Sequence, residues 1–278
     1  MGYYRVKRWF QDKVGIGENR DRLAQLELRV HALAALHQVH LPEVLILPQD
    51  ALDKVWTELP VGLQSASTAV HRSDPMLLYP LAVSGGDWGR CLQEYFQTGA
   101  ETALWLCEWA PEARSVLDFG GGFGRVGRFL PAAFPQASRW IVDPKPAAVS
   151  FQQAQWGALP HAQEKVDLVF AGSVFTHLLP DAADVALRSI ASSLAPNGLA
   201  VLTAHAAPTA GRDWVVHSRT EETALPELED SLARTAYSSV SFSDDAWIKL
   251  LEQNGFADVH KKDVHFGGTQ VIWAARKI

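Results

Sequence analysis

The most informative chemical pattern of the chain is Asp118 with the glycines that follow it. Residues 115–130 read SVLDFGGGFGRVGRFL: a short apolar run, an acid, a cluster of glycines and a helical pattern. Strand, glycine turn and helix is the usual start of a nucleotide-binding α/β unit. Because glycine has no Cβ, a ligand can approach the backbone closely. A helix beginning near Gly124 would direct its N-terminal amides at that ligand.

Two ligands compete for this stretch. Gly122, Gly124 and Gly127 satisfy G-x-G-x-x-G, a dinucleotide fingerprint. The sequence DFGGGFG from Asp118, with its acid before the glycines, resembles motif I of the class I S-adenosylmethionine (SAM)-dependent methyltransferases. In that family the acid serves the amino end of the cofactor, whereas a pyrophosphate would be repelled by a carboxylate. A third interpretation is a turn that binds nothing, but such a turn rarely needs so many glycines and an acid.

A second acid follows the next predicted strand. Trp140-Ile141-Val142 leads into Asp143, at about the distance from the glycines expected for a ribose-binding acid. The methyltransferase resemblance implies this role for Asp143. Asp143 could also cap the next helix, residues 147–156, and the two roles are compatible. Residues 157–165 leave little room for a third strand, so we expect it to be rudimentary or missing.

The run SVFTHL, residues 173–178, follows an apolar strand predicted at residues 166–172. It resembles motif IV and the following turn of small-molecule methyltransferases, which implies that Ser173 lies beside the transferred methyl. A hydroxyl acceptor needs a base, and His177 is the first candidate because its ordinary pKa is about 6.5. His205, after the predicted fifth strand at residues 199–203, is the second. Either histidine could instead only order its loop.

The C-terminal third predicts a lid and a strand pair. Residues 206–240 are polar and long for a connection between core strands, so we interpret them as a substrate lid. Ser243 is expected to cap a helix at residues 244–254. Strands at 257–265 and 269–275, joined at Gly267-Gly268, form a predicted antiparallel hairpin. A parallel sheet with that ending is typical of methyltransferases and absent from a plain dinucleotide-binding fold. The predicted fold class is therefore α/β, with a Rossmann-like, mostly parallel methyltransferase sheet, a C-terminal antiparallel hairpin and an N-terminal helical extension.

Residues 1–75 are expected to precede the methyltransferase domain, residues 76–278, whose lid helices occupy 76–110. The aromatic and basic residues of segment 1–16 suit either an anionic membrane surface or a solvated arm. The apolar positions of segment 20–37 have heptad spacing, which predicts either a helix that forms a homo-oligomer or one packed on its own domain. Further on, Gly99 is a candidate break in the helix at 81–109. Tyr79 and Tyr95 are more consistent with core packing than with cofactor contact.

Composition excludes several classes of protein. The 278 residues are 47% hydrophobic and 20% charged, as in soluble globular proteins, and the net charge of −6 argues against nucleic-acid binding. Two cysteines form neither a disulfide framework nor a zinc site, and no ligand spacing supports another metal site. No secretory signal or membrane span is evident, so the predicted location is cytoplasmic.

The sequence therefore predicts a SAM-dependent methyltransferase that acts on a hydroxyl of a small or carbohydrate-like acceptor. The resemblance assigns the cofactor to Asp118, Gly120, Gly122, Asp143 and Ser173, and the base role to His177 or His205. The N-terminal arm, heptad helix and SVFTHL-type domain together loosely resemble methyltransferases of polysaccharide or glycoconjugate pathways. Two alternatives are an NAD-dependent oxidoreductase and a non-catalytic methyltransferase-fold module that binds a partner.

Overall fold

The computed structural model describes residues 43–206, 212–217 and 239–278, which form two compact units. The first unit contains residues 43–59 and 68–97, and the second contains residues 60–67 and the described residues from 98 to 278. The predicted arm at 1–16 and the predicted heptad helix at 20–37 lie outside the described residues. In the part of the chain that is described, no helix has the length and apolarity needed to cross a bilayer.

The first unit is helical. It contains α1 (Gln49–Glu58), α2 (Pro75–Val83) and the beginning of α3 (Trp88–Trp109). Asp74 caps α2 by accepting a hydrogen bond from the Met76 amide at 2.9 Å. The buried Tyr95 hydroxyl donates to the same carboxylate at 2.6 Å. Tyr95 is thus a core residue, as its sequence pattern favoured.

Helix α3 runs without interruption through Gly99, so the prediction that this glycine divides it is wrong. A Cβ on Gly99 would collide with the carbonyl oxygen of Arg125. Glycine is needed here because the helix packs closely against the backbone of the loop that contains Arg125.

The second unit is organised around a mixed sheet. Five parallel strands occur in the spatial order β3-β2-β1-β4-β5. Strand β3 is two residues long, as predicted from the short connection at residues 157–165. Besides the end of α3, the described residues of this unit form four α-helices, and Ser243 caps the last of them by accepting a hydrogen bond from the Ala246 amide, as predicted. The strands are β1 (Ser115–Phe119), β2 (Ser138–Val142), β3 (Leu159–Pro160), β4 (Val166–Ala171) and β5 (Leu194–Ala206); the helices are α4 (Leu130–Ala133), α5 (Pro146–Trp156), α6 (Pro180–Ser193) and α7 (Asp244–Gln253).

The predicted C-terminal hairpin is confirmed as β8 (Phe256–Phe266) and β9 (Gln270–Lys277), and β9 pairs antiparallel with β5. This arrangement confirms the predicted fold class. Two further strands were not predicted: β6 (Trp214–His217) and β7 (Ser239–Phe242). Strand β7 continues the edge of β5 in parallel register, and β6 pairs antiparallel with β7. The remainder of the predicted lid, residues 207–211 and 218–238, lies outside the described residues.

The helix expected to begin near Gly124 does not form there. Turns and a single 3-10 turn, Gly127–Phe129, precede α4, which starts at Leu130. Gly124 has φ +80°, outside the right-handed helical region. The loop therefore presents individual backbone groups at this edge rather than the N-terminus of a regular helix.

The end of α6 does not coincide with Asn197-Gly198, although such a pair is a common helix C-terminus. The helix stops at Ser193, and the extended residue Leu194 starts β5 directly. Asn197, with φ 61°, lies where the pairing of β4 with β5 shifts register. A left-handed residue at this position serves a strand irregularity, and Asn tolerates that conformation.

Candidate functional site

Asp118 lies at the carboxyl end of β1, in the centre of the parallel sheet. Its side chain is 3% exposed, and its Oδ2 accepts no hydrogen bond from any described residue. Burial, followed by the charge of Asp143, raises the pKa of Asp118 to about 7. The nearby amide of Gln152 lowers this pKa in part. Its Nε2 donates its hydrogen bonds to backbone carbonyls of the turn and not to Asp118 Oδ2. The structure thus contains a buried acid with an unused acceptor atom.

The glycine turn folds directly over this acid. Gly120 has φ +69°, and its amide donates to the Val142 carbonyl at 2.7 Å, which ties the turn to the end of β2. A Cβ on Gly121 would collide with the Asp118 carboxylate. A side chain at Gly121 would therefore lift the loop away from the acid.

Gln152 of α5 stabilises the turn by hydrogen bonds, although it belongs to none of the sequence motifs. Its Nε2 donates to the carbonyls of Gly121 and Gly122 at 3.2 and 2.9 Å, and its Oε1 accepts from Trp156 Nε1 at 3.2 Å. The side chain is 1% exposed. In the sequence, the only sign of this role is a polar residue on a predicted helix. The two carbonyls that it contacts are 30 and 31 residues away in sequence, so no local pattern identifies them.

The remaining glycines of the turn have distinct roles. A Cβ on Gly124 would collide with the Trp156 ring, and one on Gly127 would collide with Gln152 Oε1. Packing against α5 thus explains two of the three glycines in the dinucleotide fingerprint. Gly122 differs because it has φ +52° and no atom within 4 Å of the position that a Cβ would take. The backbone at Gly122 is therefore open to a ligand.

Asp143 follows the last residue of β2 and faces the same turn. Its Oδ2 accepts from the Gly122 amide at 2.9 Å, and its Oδ1 accepts from the Lys145 amide at 2.8 Å. Burial raises the pKa of Asp143, and these two hydrogen bonds oppose the rise. Each oxygen retains acceptor capacity for a further donor. The N-cap of α5 is Lys145, with no side-chain capping hydrogen bond, so the expectation that Asp143 caps this helix is wrong, and its ribose role stays a prediction.

Ser173 lies just beyond β4 in a left-handed conformation with φ 61°. Its amide donates to Thr203 Oγ1 at 2.8 Å, and its Oγ accepts from Gln270 Nε2 at 2.8 Å. Thr203 Oγ1 in turn donates to Gln270 Oε1 at 2.6 Å. This network connects residues of three neighbouring strands, β4, β5 and β9.

The two candidate bases lie beside the unpredicted strand β7. The Val240 amide donates at 2.8 Å to the carbonyl of Thr176, the residue before His177. His205 is in register with Ser241 of the same strand. His217 also reaches this strand, because its Nε2 lies 3.1 Å from Ser241 Oγ. Strand β7 therefore lies next to three backbone segments that carry histidines, which the sequence separates by up to 40 residues.

Two chemical features of this region bear on a cofactor. The unpartnered Oδ2 of Asp118 suits a cationic donor, and the open backbone at Gly122 admits a ligand beside it. Both fit SAM, whose methionyl end is zwitterionic. Among the described residues, no group of three or more His, Cys, Asp or Glu side chains is placed to hold a metal ion.

A family model described as a methyltransferase domain matches residues 92–261, more than half of the chain. The chain belongs to this methyltransferase family. With it, the SAM-dependent resemblance drawn from motif I and SAM as the cofactor are confirmed. The match disfavours the alternative interpretation of the chain as an NAD-dependent oxidoreductase. A comparison with curated proteins found no match.

Solved structures similar to this methyltransferase include DesVI of Streptomyces venezuelae, at 16% identity over 72% of this chain and 97% of DesVI, with a TM-score of 0.50. CalS10, an amino pentose methyltransferase from Micromonospora echinaspora with SAM bound, is 15% identical over 66% of this chain and 92% of CalS10, with a TM-score of 0.48. PigF with SAH, the demethylated cofactor, is 17% identical over 60% of this chain, with a TM-score of 0.45. The match spans 51% of PigF. At these identities, the likeness to DesVI shows the fold.

Proposed function

We propose that this methyltransferase transfers the methyl group of SAM to a hydroxyl of a small or carbohydrate-like acceptor, in the biosynthesis of a polysaccharide or glycoconjugate. In this proposal five residues hold the cofactor and one of two histidines serves as the base. The cofactor residues are Asp118, Gly120, Gly122, Asp143 and Ser173, and the candidate bases are His177 and His205.

The buried Oδ2 of Asp118 is the observation that carries the proposal. A buried carboxylate costs folding free energy, and Asp118 also lies beside a second acid, so Gln152 and the charge of Arg125 offset only part of this cost. The ammonium group of the methionyl end would supply a hydrogen bond to Oδ2 and a further positive charge. The open space beside the backbone of Gly122 is the point of the turn at which that group would enter.

Asp143 complements this interaction at the other end of the turn. Its two oxygens already accept one backbone hydrogen bond each, which orients the carboxylate. Their remaining acceptor capacity suits the two hydroxyls of a ribose. Two acids at one glycine turn thus suit a nucleoside that carries an amino acid.

Histidines beside β7 suit the deprotonation of a hydroxyl. Bound SAM supplies a methyl group already activated by the sulfonium. The imidazole of His177 or His205 would accept the hydroxyl proton as the acceptor oxygen takes the methyl group and SAH leaves. Positioning the acceptor in line with the methyl is the other requirement on the protein.

The polarity of β7 supports a hydroxyl-rich acceptor. Val240 and Phe242 are buried in the apolar core, so Ser239 and Ser241 alternate with them on the opposite face. His217 adds an imidazole to this face. Ser241 is 4% exposed and its Oγ already lies 3.1 Å from His217 Nε2, so Ser239 and the His217 imidazole are the groups that this face would offer to a sugar.

Calorimetric titration with SAM, SAH and NADH tests the cofactor site. We expect SAM and SAH to bind at micromolar concentrations and NADH to give no heat. Asp118→Ala should weaken SAM binding by about 30-fold or more, because it removes one partner of a buried charge pair. Asp167→Ala is the matched control, since Asp167 on β4 bonds Arg114 and Ser115 away from the turn. No binding to folded wild-type protein would favour the non-catalytic module instead.

A screen of nucleotide sugars and glycans, with SAM as donor, tests the acceptor. With the acceptor found, His177→Ala or His205→Ala should lower kcat about 100-fold or more for the residue that is the base, and should remove the acidic limb of its pH profile. His260→Ala, an exposed histidine on β8, controls for loss of an imidazole. Wild-type activity in both site variants would contradict the histidine mechanism, and methylation of an amine alone would contradict the hydroxyl acceptor.

The roles of segments 1–16 and 20–37 remain predictions, as do the boundaries at residues 75 and 76 and the cytoplasmic location. Sedimentation with vesicles containing anionic lipid tests the first segment. Light scattering of the full chain and of a variant starting at Pro42 tests the second. An oligomer that persists in the truncated variant would contradict assembly through residues 20–37.

A further inference from the structure

Gln270 lies outside every sequence motif described above, yet it contacts the residue expected beside the transferred methyl. It is the first residue of β9, and 97 residues separate it from Ser173. Its amide is connected to Ser173 at one end and to Thr203 at the other. The C-terminal hairpin thus reaches the carboxyl end of the parallel sheet through one side chain.

We propose that Gln270 is a positioning residue for the cofactor site: its side chain holds Ser173 in the left-handed conformation. This inference rests on the proposed function of Ser173. A left-handed backbone is unfavourable for a residue other than glycine, by about 1–2 kcal/mol. Hydrogen bonds to both the amide and the hydroxyl of Ser173 compensate for this strain.

The network also determines which proton Ser173 can offer. Ser173 Oγ accepts the hydrogen bond from Gln270 Nε2, so its own proton is directed away from Gln270. Thr203, which is fully buried, uses its proton for Gln270 Oε1 and accepts the Ser173 amide. The amide of Gln270 therefore orients the serine hydroxyl as a donor toward the ligand side.

The same geometry extends to the first candidate base. Thr176 Oγ1 donates to the Ser173 carbonyl at 2.8 Å, and the His177 amide donates to the Val174 carbonyl at 3.2 Å. The backbone from Ser173 to His177 is thus a single tight turn. A change in the Ser173 conformation would move this turn as well as the serine hydroxyl.

The test measures SAM and SAH affinity by calorimetry in Gln270→Met, Ser173→Ala and the double variant. Methionine keeps the length of the side chain and removes both hydrogen bonds. We expect each single variant to weaken SAM binding about fivefold or more. The double variant should bind SAM with the same affinity as the single variant that binds it less tightly, because Gln270 acts through Ser173.

Asn254→Leu is the matched control for the loss of a buried amide. Asn254 Nδ2 makes two hydrogen bonds, to Asp184 and to the Leu250 carbonyl, at the end of α7. We expect this variant to lose thermal stability, as Gln270→Met does, while its SAM affinity stays that of the wild type. Gln270→Glu separates the two effects, since its carboxylate can accept hydrogen bonds from both Thr203 and Ser173, which would hold Ser173 in place but turn its hydroxyl proton away from the ligand. Its SAM affinity should lie between that of Gln270→Met and that of the wild type.

Unchanged SAM affinity in folded Gln270→Met would overturn the proposal, as would an additive double variant. If Gln270→Met and Asn254→Leu weaken binding equally, general destabilisation explains the effect and the positioning role is also overturned. Absence of SAM binding in the wild type is a different result, because it contradicts the proposed function itself.

Discussion

At the scale of single residues, the site depends on a few side chains that the fold itself does not favour. Asp118 is the clearest case, because its buried carboxyl has an unused acceptor atom and a pKa raised to about 7. Such a group is expected to reduce stability in the ligand-free protein and to contribute to binding. Stability and ligand binding should therefore respond to its substitution in opposite directions.

Asp118→Asn should stabilise the ligand-free protein, and increasingly so as the pH rises from about 4 to about 7. The raised pKa means that the folded wild type binds more protons than the unfolded chain across this window, so its stability falls with rising pH. The variant has no ionisable group at this position and therefore does not lose this stability as the pH rises. Thermal unfolding of both proteins between pH 4 and 8 measures the difference, which should level off above the folded pKa.

The same variant should bind SAM poorly at every pH, because an amide cannot supply the charge that pairs with the ammonium group. Calorimetry at pH 7.5 checks this result. A variant that is more stable and also binds SAM normally would show that the Asp118 charge has no role in the site.

Gly122→Ala should weaken SAM binding with little effect on packing. Gly122 has φ +52° and open space where a Cβ would lie, so a methyl group would enter the region assigned to the ligand. Gly255→Ala is matched in conformation and space, since Gly255 has φ +80° and no atom within 4 Å, but it follows α7 and not α5. Both should lose about 1 kcal/mol of stability from backbone strain. Comparable SAM affinity in the two variants would contradict the assigned position of the ligand.

At the scale of elements, close contacts between backbones determine how helices and loops assemble. Helix α3 approaches the loop containing Arg125 at Gly99, and α5 supports the glycine turn through Gln152 and Trp156. In each case a glycine is required by a neighbouring element and not by its own secondary structure. Helix propensity alone would give the wrong sign for a substitution at such a site.

Two glycines of α3 should respond in opposite directions to the same substitution. Gly89→Ala should stabilise the protein by about 0.5–1 kcal/mol, since alanine favours helix and the nearest atom to its Cβ is 3.7 Å away. Gly99→Ala should destabilise it, because the Cβ would collide with the Arg125 carbonyl oxygen. Urea unfolding of the two variants gives the free energies of unfolding. Stabilisation by both substitutions would show that α3 does not pack on this loop.

At the scale of the whole molecule, cofactor binding and stability are linked. The residues proposed to hold SAM come from the ends of β1, β2 and β4 in one sheet, so binding should stabilise that sheet against unfolding. At a concentration 100 times its Kd, SAM should add about 2.7 kcal/mol to the free energy of unfolding. This corresponds to a rise in Tm of about 5–10 °C.

Differential scanning fluorimetry with SAM, SAH and NADH measures this shift. SAM and SAH should raise the Tm, whereas NADH at the same concentration should leave it unchanged. A shift with NADH in place of SAM would contradict the assignment of the cofactor to the turn after Asp118.

Local patterns in the amino-acid chain were enough to predict the order of most strands and helices and the residue types at their ends. Apolar runs, the glycines after Asp118 and the Ser243 cap are local signals, because they depend on residues only a few positions apart. Motif I and the C-terminal hairpin could therefore be predicted before the fold was known, as could the two-residue third strand.

The side chains that complete the site depend instead on contacts between distant parts of the folded chain. Gln152 supports a turn 30 residues earlier, Gln270 holds Ser173 across 97 residues, and β7 lies next to the backbone segments that carry His177, His205 and His217. These contacts depend on the pairing of distant strands, which leaves no periodic pattern in the sequence. The glycine at position 124 is a similar case, because the ring of Trp156 on α5 occupies the place that a Cβ would take, and no local pattern reveals this contact.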